Sequence, residues 1–116
     1  MATWAQVATD QSTLRRVEEL TREAVYRHLK HELPYTLFQR NVQTTLLDDG
    51  TLQVTQMLIV RSRSQKAIVI GTGGRMVKQL EAEAGQALSA SLGYPVDLSL
   101  IVSTASPKEV IARGLN

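Results

Sequence analysis

The chain is 116 residues long, with 43% hydrophobic and 21% charged side chains, the size and balance of one folded domain rather than two domains or a disordered chain. It has no cysteine, which excludes a disulfide framework, an iron–sulfur site and a thiolate zinc site, and no apolar run approaches the roughly 18–20 residues of a membrane span. The formal net charge is only +2, yet between Gly50 and Leu80 the basic residues Arg61, Arg63, Lys66, Arg75 and Lys78 meet no acid, and all 11 Asp and Glu lie elsewhere.

Met1–Asp10 lacks the apolar core of a signal peptide and the arginines of a mitochondrial transit peptide, and is expected to be a weakly structured start. From about Asp10 to His31 the apolar residues Leu14, Val17, Leu20, Ala24 and His28/Leu29 recur at helical spacing. Thr9, Asp10 and Ser12 are candidate N-caps, and Pro34 is expected to stop the helix, because proline disfavours helical geometry in the residue before it. On this helix Glu18, Glu19 and Glu23 among Arg15, Arg16, Arg22 and Arg27 predict i,i+4 ion pairs. His28 and His31 have no Cys or carboxylate partner nearby in sequence, and no metal site is expected.

Thr36–Leu47 reads as a strand, Asp48-Asp49-Gly50 as a turn and Leu52–Val60 as the returning strand of a hairpin. A short helical piece beginning at Ser64 or Gln65 runs through Ala67–Ile70 into Gly71-Thr72-Gly73-Gly74. A second helix follows over Arg75–Leu92, with Gly93 placed to end it in the left-handed conformation. Pro95–Ser103 alternates as a third strand, with Val96, Leu98, Leu100 and Val102 on one side and Asp97 and Ser99 on the other. The expected division is a flexible segment over 1–9, one domain over 10–103 and a tail with a short helix over 104–116.

The glycine loop carries the functional signal. Glycines let a backbone approach a phosphate chain closely, and the helix start behind them offers unpaired N–H groups and a partial positive charge. Arg75 and Lys78 lie in the first turn of that helix, where cations are mildly unfavourable for the helix itself and so point to an external anion. The spacing is not that of a P-loop or of a dinucleotide fingerprint. Clustered cations are a polyanion footprint, although by charge alone a solvated face is the commoner reading. No Ser–His–Asp set or paired carboxylates stand out, so no catalytic residue and no cofactor are expected.

Gly-x-x-Gly between two helices resembles the loop of a KH domain, which clamps about four backbone nucleotides, and the element order resembles the type II form. A closer resemblance is to the C-terminal KH domain of Era-type ribosome-assembly GTPases. It rests on Ala8-Thr9-Asp10-Gln11-Ser12, Thr21-Arg22-Glu23, His31-Glu32-Leu33-Pro34-Tyr35, Leu58-Ile59-Val60, Gln65-Lys66-Ala67-Ile68-Val69-Ile70-Gly71 and Pro95-Val96-Asp97-Leu98, and extends over roughly Thr9 to Val102.

The resemblance implies an α+β fold, with a three-stranded mixed sheet, helices on one face and the order α-β-β-α-α-β. It implies a non-catalytic module that binds single-stranded RNA near the 3′ end of small-subunit ribosomal RNA, in a bacterial cytoplasm or a mitochondrial matrix, and that associates with proteins of the assembly particle. Gly71, Thr72, Gly73 and Gly74 would lie against the RNA backbone. Lys66, Arg75 and Lys78, with Arg61 and Arg63 beside them, would neutralise phosphates, and Ile59, Ile68, Ile70 and Val77 would wall a groove for bases. With one Trp and one Phe in the chain, aromatic stacking is not the main readout. The residue before the second glycine is often basic in the family. Here it is Gly73, which removes one phosphate contact and leaves open a KH-like subunit that docks on protein instead. The family's GTPase domain has no counterpart in the sequence, so a free-standing domain and a piece of a longer GTPase both stay open.

Overall fold

The first helix, α1 (Gln11–His28), begins where Asp10 Oδ1 accepts the Thr13 N–H at 2.8 Å. It buries Thr13, Val17, Thr21, Ala24 and Val25, a stripe at spacings of three and four. This stripe is rotated from the expected one, so that Leu14 and Leu20 are only half-buried. The computed structural model describes Thr3, Gln6 and residues 8–105. Ala8 is helical and fully buried in the core, so packing starts earlier than the expected end of the weakly structured segment.

Pro34 does not end α1. The helix stops at His28, Leu29 is extended, and His31 turns the chain at φ 59°. Pro34 instead sits in the first turn of a one-turn helix, α2 (Leu33–Thr36), where an absent N–H costs nothing. The predicted ion-pair ladder on α1 is also mostly absent among the described residues. Only Arg16–Glu19 pairs along the helix, exposed and at 3.7 Å. Arg27 and His28 reach across to Glu83 at 3.4 and 2.6 Å, and Arg22 Nε donates to Gln39 Oε1 at 3.1 Å.

Strands β1 (Phe38–Leu46) and β2 (Leu52–Val60) form the expected hairpin, closed by Gly50 at φ 90° and by Asp49 Oδ1 accepting the Thr51 N–H at 2.9 Å. Their register runs from Phe38↔Ile59 to Leu46↔Leu52, with a shift between Asn41 and Gln43 that leaves Val42 exposed. The chain then passes through α3 (Arg63–Ile70) and α4 (Arg75–Leu92) before β3 (Val96–Thr104) returns beside β2. β3 is parallel to β2, with pairs from Leu52↔Val96 to Val60↔Thr104, so β2 is the central strand of a mixed sheet. Thr104, expected in the tail, extends β3, and Ala105 donates its N–H to Val60 O. The expected tail helix lies outside the described residues.

Alternation along β2 sets the core. Leu52, Val54, Leu58 and Val60 pack with Val17, Ala24 and Val25 of α1, Val69 of α3, and Leu80, Ala84 and Leu88 of α4. On the opposite sheet face Ile59, Ala105, Phe38 and Met57 form a second, smaller cluster. No helix among the described residues is long and apolar enough to cross a membrane.

Candidate nucleic-acid interface

α3 starts at Ser62, whose Oγ accepts the Gln65 N–H at 3.1 Å while Gln65 Oε1 accepts the Arg61 N–H at 2.8 Å. This cap places the helix start slightly ahead of the sequence expectation. α3 ends at Gly71, which has φ 76°, and a single 3₁₀ turn, Thr72–Gly74, leads into α4. Gly73 and Gly74 are both left-handed, at φ 63° and 79°. Three glycines in this short loop thus occupy backbone regions that side chains resist. Gly71 is further fixed by space, since a Cβ there would meet Met76 N and Cβ at 2.8 Å.

α1 and α3 begin with side-chain caps, whereas α4 begins at Gly74 with none. The Arg75 N–H is met by Thr72 O, and the N–H groups that follow it lack the side-chain partner that a Ser or Asp would supply. Arg75 and Lys78 are exposed beside this uncapped start, and Lys66 is half-buried on α3. The Lys78 side chain lies back toward the loop, its Cε 3.9 Å from where a Gly74 Cβ would be. Among the described residues, none of Arg61, Arg63, Lys66, Arg75 and Lys78 is in an ion pair. Cations held without internal counter-charges around open N–H groups are suited to an anionic chain.

From Lys78 a groove of about 590 Å³ runs between α4 and the outer edge of β3, lined by Glu81, Ala82, Gly85, Gln86 and Ser89 on one side and Val96–Leu98 on the other. Among the described residues β3 pairs only with β2, so its outer edge faces this groove. Two of its N–H groups are met by side chains of α4, Val96 donating to Ser89 Oγ at 2.9 Å and Leu100 to Glu81 Oε2 at 2.8 Å.

The family model described as "KH domain" matches residues 32–108. The chain belongs to the KH domain family. Its order of elements and mixed sheet, with helices on one face, are those of the type II form. It corresponds to the KH portion of Era-type GTPases. It is 37% identical over 84 residues to GTPase Era of Bradyrhizobium sp. (strain ORS 278), covering 72% of this chain and 27% of that protein. To GTPase Era of Erythrobacter litoralis it is 38% identical over 96 residues, covering 79% and 32%. The chain thus spans about a third or less of the length of these relatives, and their GTPase domain is not part of it.

Two solved structures superpose well. One is Aquifex aeolicus Era bound to GDP and aluminium fluoride, with a TM-score of 0.76 at 27% identity, covering 84% of this chain and 35% of that one. The other is Era in complex with MgGDPNP and nucleotides 1506–1542 of 16S ribosomal RNA, with a TM-score of 0.75, the same identity and the same coverage. At the family level this is an RNA-binding KH domain of Era-type ribosome-assembly proteins.

Within the KH domain, the glycine loop, Arg75 and Lys78 come together as the sequence suggested, with Lys66 on the helix that leads into the loop. The aliphatic wall does not assemble. Ile59 is 1% exposed on the sheet face opposite the helices, because alternation along β2 turns it away from Leu58 and Val60. Arg61 lies over the Phe38 ring at 5.9 Å, against that same second cluster. Val77 packs on the main core, Ile70 is half-buried, and Ile68 lines a separate apolar cavity with His28, Leu33 and Met76. Of the residues that line the groove only Lys78 was anticipated; Glu81, Ala82, Gly85, Gln86 and Ser89 were missed, although Lys78, Ala82, Gly85 and Ser89 recur at helical spacing as a small, polar stripe on α4.

Proposed function

We propose that this KH domain binds single-stranded RNA through its glycine loop, and that its target lies near the 3′ end of small-subunit ribosomal RNA during assembly of that subunit. The observation that carries the reading is the left-handed glycine loop feeding an uncapped helix, flanked by cations that form no ion pair among the described residues. In this reading the backbone at Gly71, Thr72, Gly73 and Gly74 contacts phosphates, and Lys66, Arg75 and Lys78 neutralise them, with Arg63 at the edge of the path. Bases enter the groove between α4 and the outer edge of β3. The target assignment is supported by the related Era whose complex contains nucleotides 1506–1542 of 16S ribosomal RNA.

A labelled oligonucleotide from the 3′ end of small-subunit rRNA tests this against a scrambled sequence of equal composition and against a duplex. The single-stranded 3′-end sequence is expected to bind at least about tenfold more tightly than either competitor, a margin of about 1.4 kcal/mol. Equal affinity for the scrambled strand would reject the assigned target, and equal affinity for the duplex would reject single-strand recognition.

A further inference from the structure

The acid-free run ends one residue before Glu81, and Glu81 is placed inside the groove rather than outside it. Its Oε2 accepts the outward N–H of Leu100 at 2.8 Å. Four residues earlier the Val96 N–H is taken by Ser89 Oγ. Residues two apart on a strand point their N–H and C=O groups the same way. The outer edge of β3 therefore presents the carbonyls of Val96 and Leu98 and one N–H, that of Leu98, to the groove, while the Val96 and Leu100 donors on either side are already used. A carboxylate can accept further hydrogen bonds beyond the one from Leu100. The groove is thus rich in acceptors where a base edge would lie.

We propose that Glu81 is a specificity-determining residue of the groove, selecting bases with an exocyclic amine at their pairing edge, cytosine, adenine and guanine, over uracil. The inference rests on the RNA-binding reading above. Cytosine N4, adenine N6 and guanine N2 donate to a carboxylate, whereas uracil's one pairing-edge donor, N3–H, is flanked by two carbonyls whose lone pairs would face it. The negative charge also lowers affinity for any polyanion, so Glu81 exchanges binding strength for selectivity.

Oligocytidylate and oligouridylate of about eight nucleotides, twice the roughly four-nucleotide KH clamp, are titrated against the wild-type chain, Glu81→Gln and Lys78→Gln. Glu81→Gln keeps an oxygen for the Leu100 N–H, so an unchanged Leu100 amide resonance verifies the fold. Wild type is expected to prefer oligocytidylate by about tenfold, the lower end of a base-specific contact. Glu81→Gln is expected to compress that ratio below about threefold, mainly by gaining affinity for oligouridylate. Lys78→Gln should weaken both ligands equally. A Glu81→Gln chain that shifts both affinities by one common factor, or a wild type that binds both alike, overturns the assignment of Glu81 and leaves RNA binding intact. No binding of either oligonucleotide by any of the three chains overturns the RNA reading and this inference with it.

Discussion

At Gly71 one added carbon would press on Met76 at 2.8 Å, whereas at Gly73 it would meet nothing within 4 Å. The two positions therefore respond differently to substitution. Gly71→Ala combines a steric clash with a φ of 76° and is expected to destabilise the fold by about 1–3 kcal/mol, read from a denaturant midpoint. Gly73→Lys faces only the left-handed penalty of about 1–2 kcal/mol. It restores a cation at the loop tip, so it should tighten RNA binding and steepen the salt dependence by about 0.7 in the log–log slope. An unchanged slope would show that the tip does not contact phosphate. The spacing of the glycines was visible in the sequence. Which one is held by space and which by φ was not, since that depends on where Met76 falls in the next helix.

The elements were legible wherever local rules decided them. β2 and α4 begin and end where alternation, helical spacing and Gly93 predict. Pro34 misled because the same residue that disfavours a helix interior suits a helix start, and α1 had already ended at His28. The parallel pairing of β3, and with it the outer edge and the groove, is a long-range fact without a local signature.

Two tests belong at this scale. The Thr13 N–H bond to Asp10 holds its carboxyl below the ordinary 3.8. A lowered folded-state pKa adds stability that is complete above the ordinary value and is lost as pH falls through the folded one. Asp10→Ala should therefore lower Tm at neutral pH, with the gap to wild type closing only below the usual carboxylate range. Gln39 bridges elements, its Nε2 donating to buried Gln56 Oε1 at 3.3 Å and to Glu18 O at 3.2 Å. Gln39→Ala strands the Gln56 carbonyl and is expected to cost about 1–3 kcal/mol in urea melts. Gln39→Ala with Gln56→Leu should recover part of that, and strict additivity in the double-mutant cycle would show that the pair is not coupled.

For the whole molecule, a net charge of +2 hides a division of labour. The cations Lys66, Arg75 and Lys78 gather around one loop, while Arg27 and Arg16 are tied into ion pairs elsewhere. The uneven charge was readable from sequence, as was its placement beside the glycines. That Arg61 and Ile59 belong to the far face of the sheet was not, because both follow from the two-residue alternation of a strand whose burial on both faces masks it.

The central claim, that the loop grips an RNA backbone, is tested most directly by binding of single-stranded RNA across a salt series with the wild type and with Gly73→Asp/Gly74→Asp. These two sites leave Met76 undisturbed, and circular dichroism verifies that the variant is folded. Neutralising about three phosphates predicts a log–log slope near −2 for wild type. The variant, with two anions set against the phosphate path, is expected to lose at least about 100-fold in affinity, or about 2.7 kcal/mol. A folded variant that binds as tightly as wild type, with the same slope, would contradict the account.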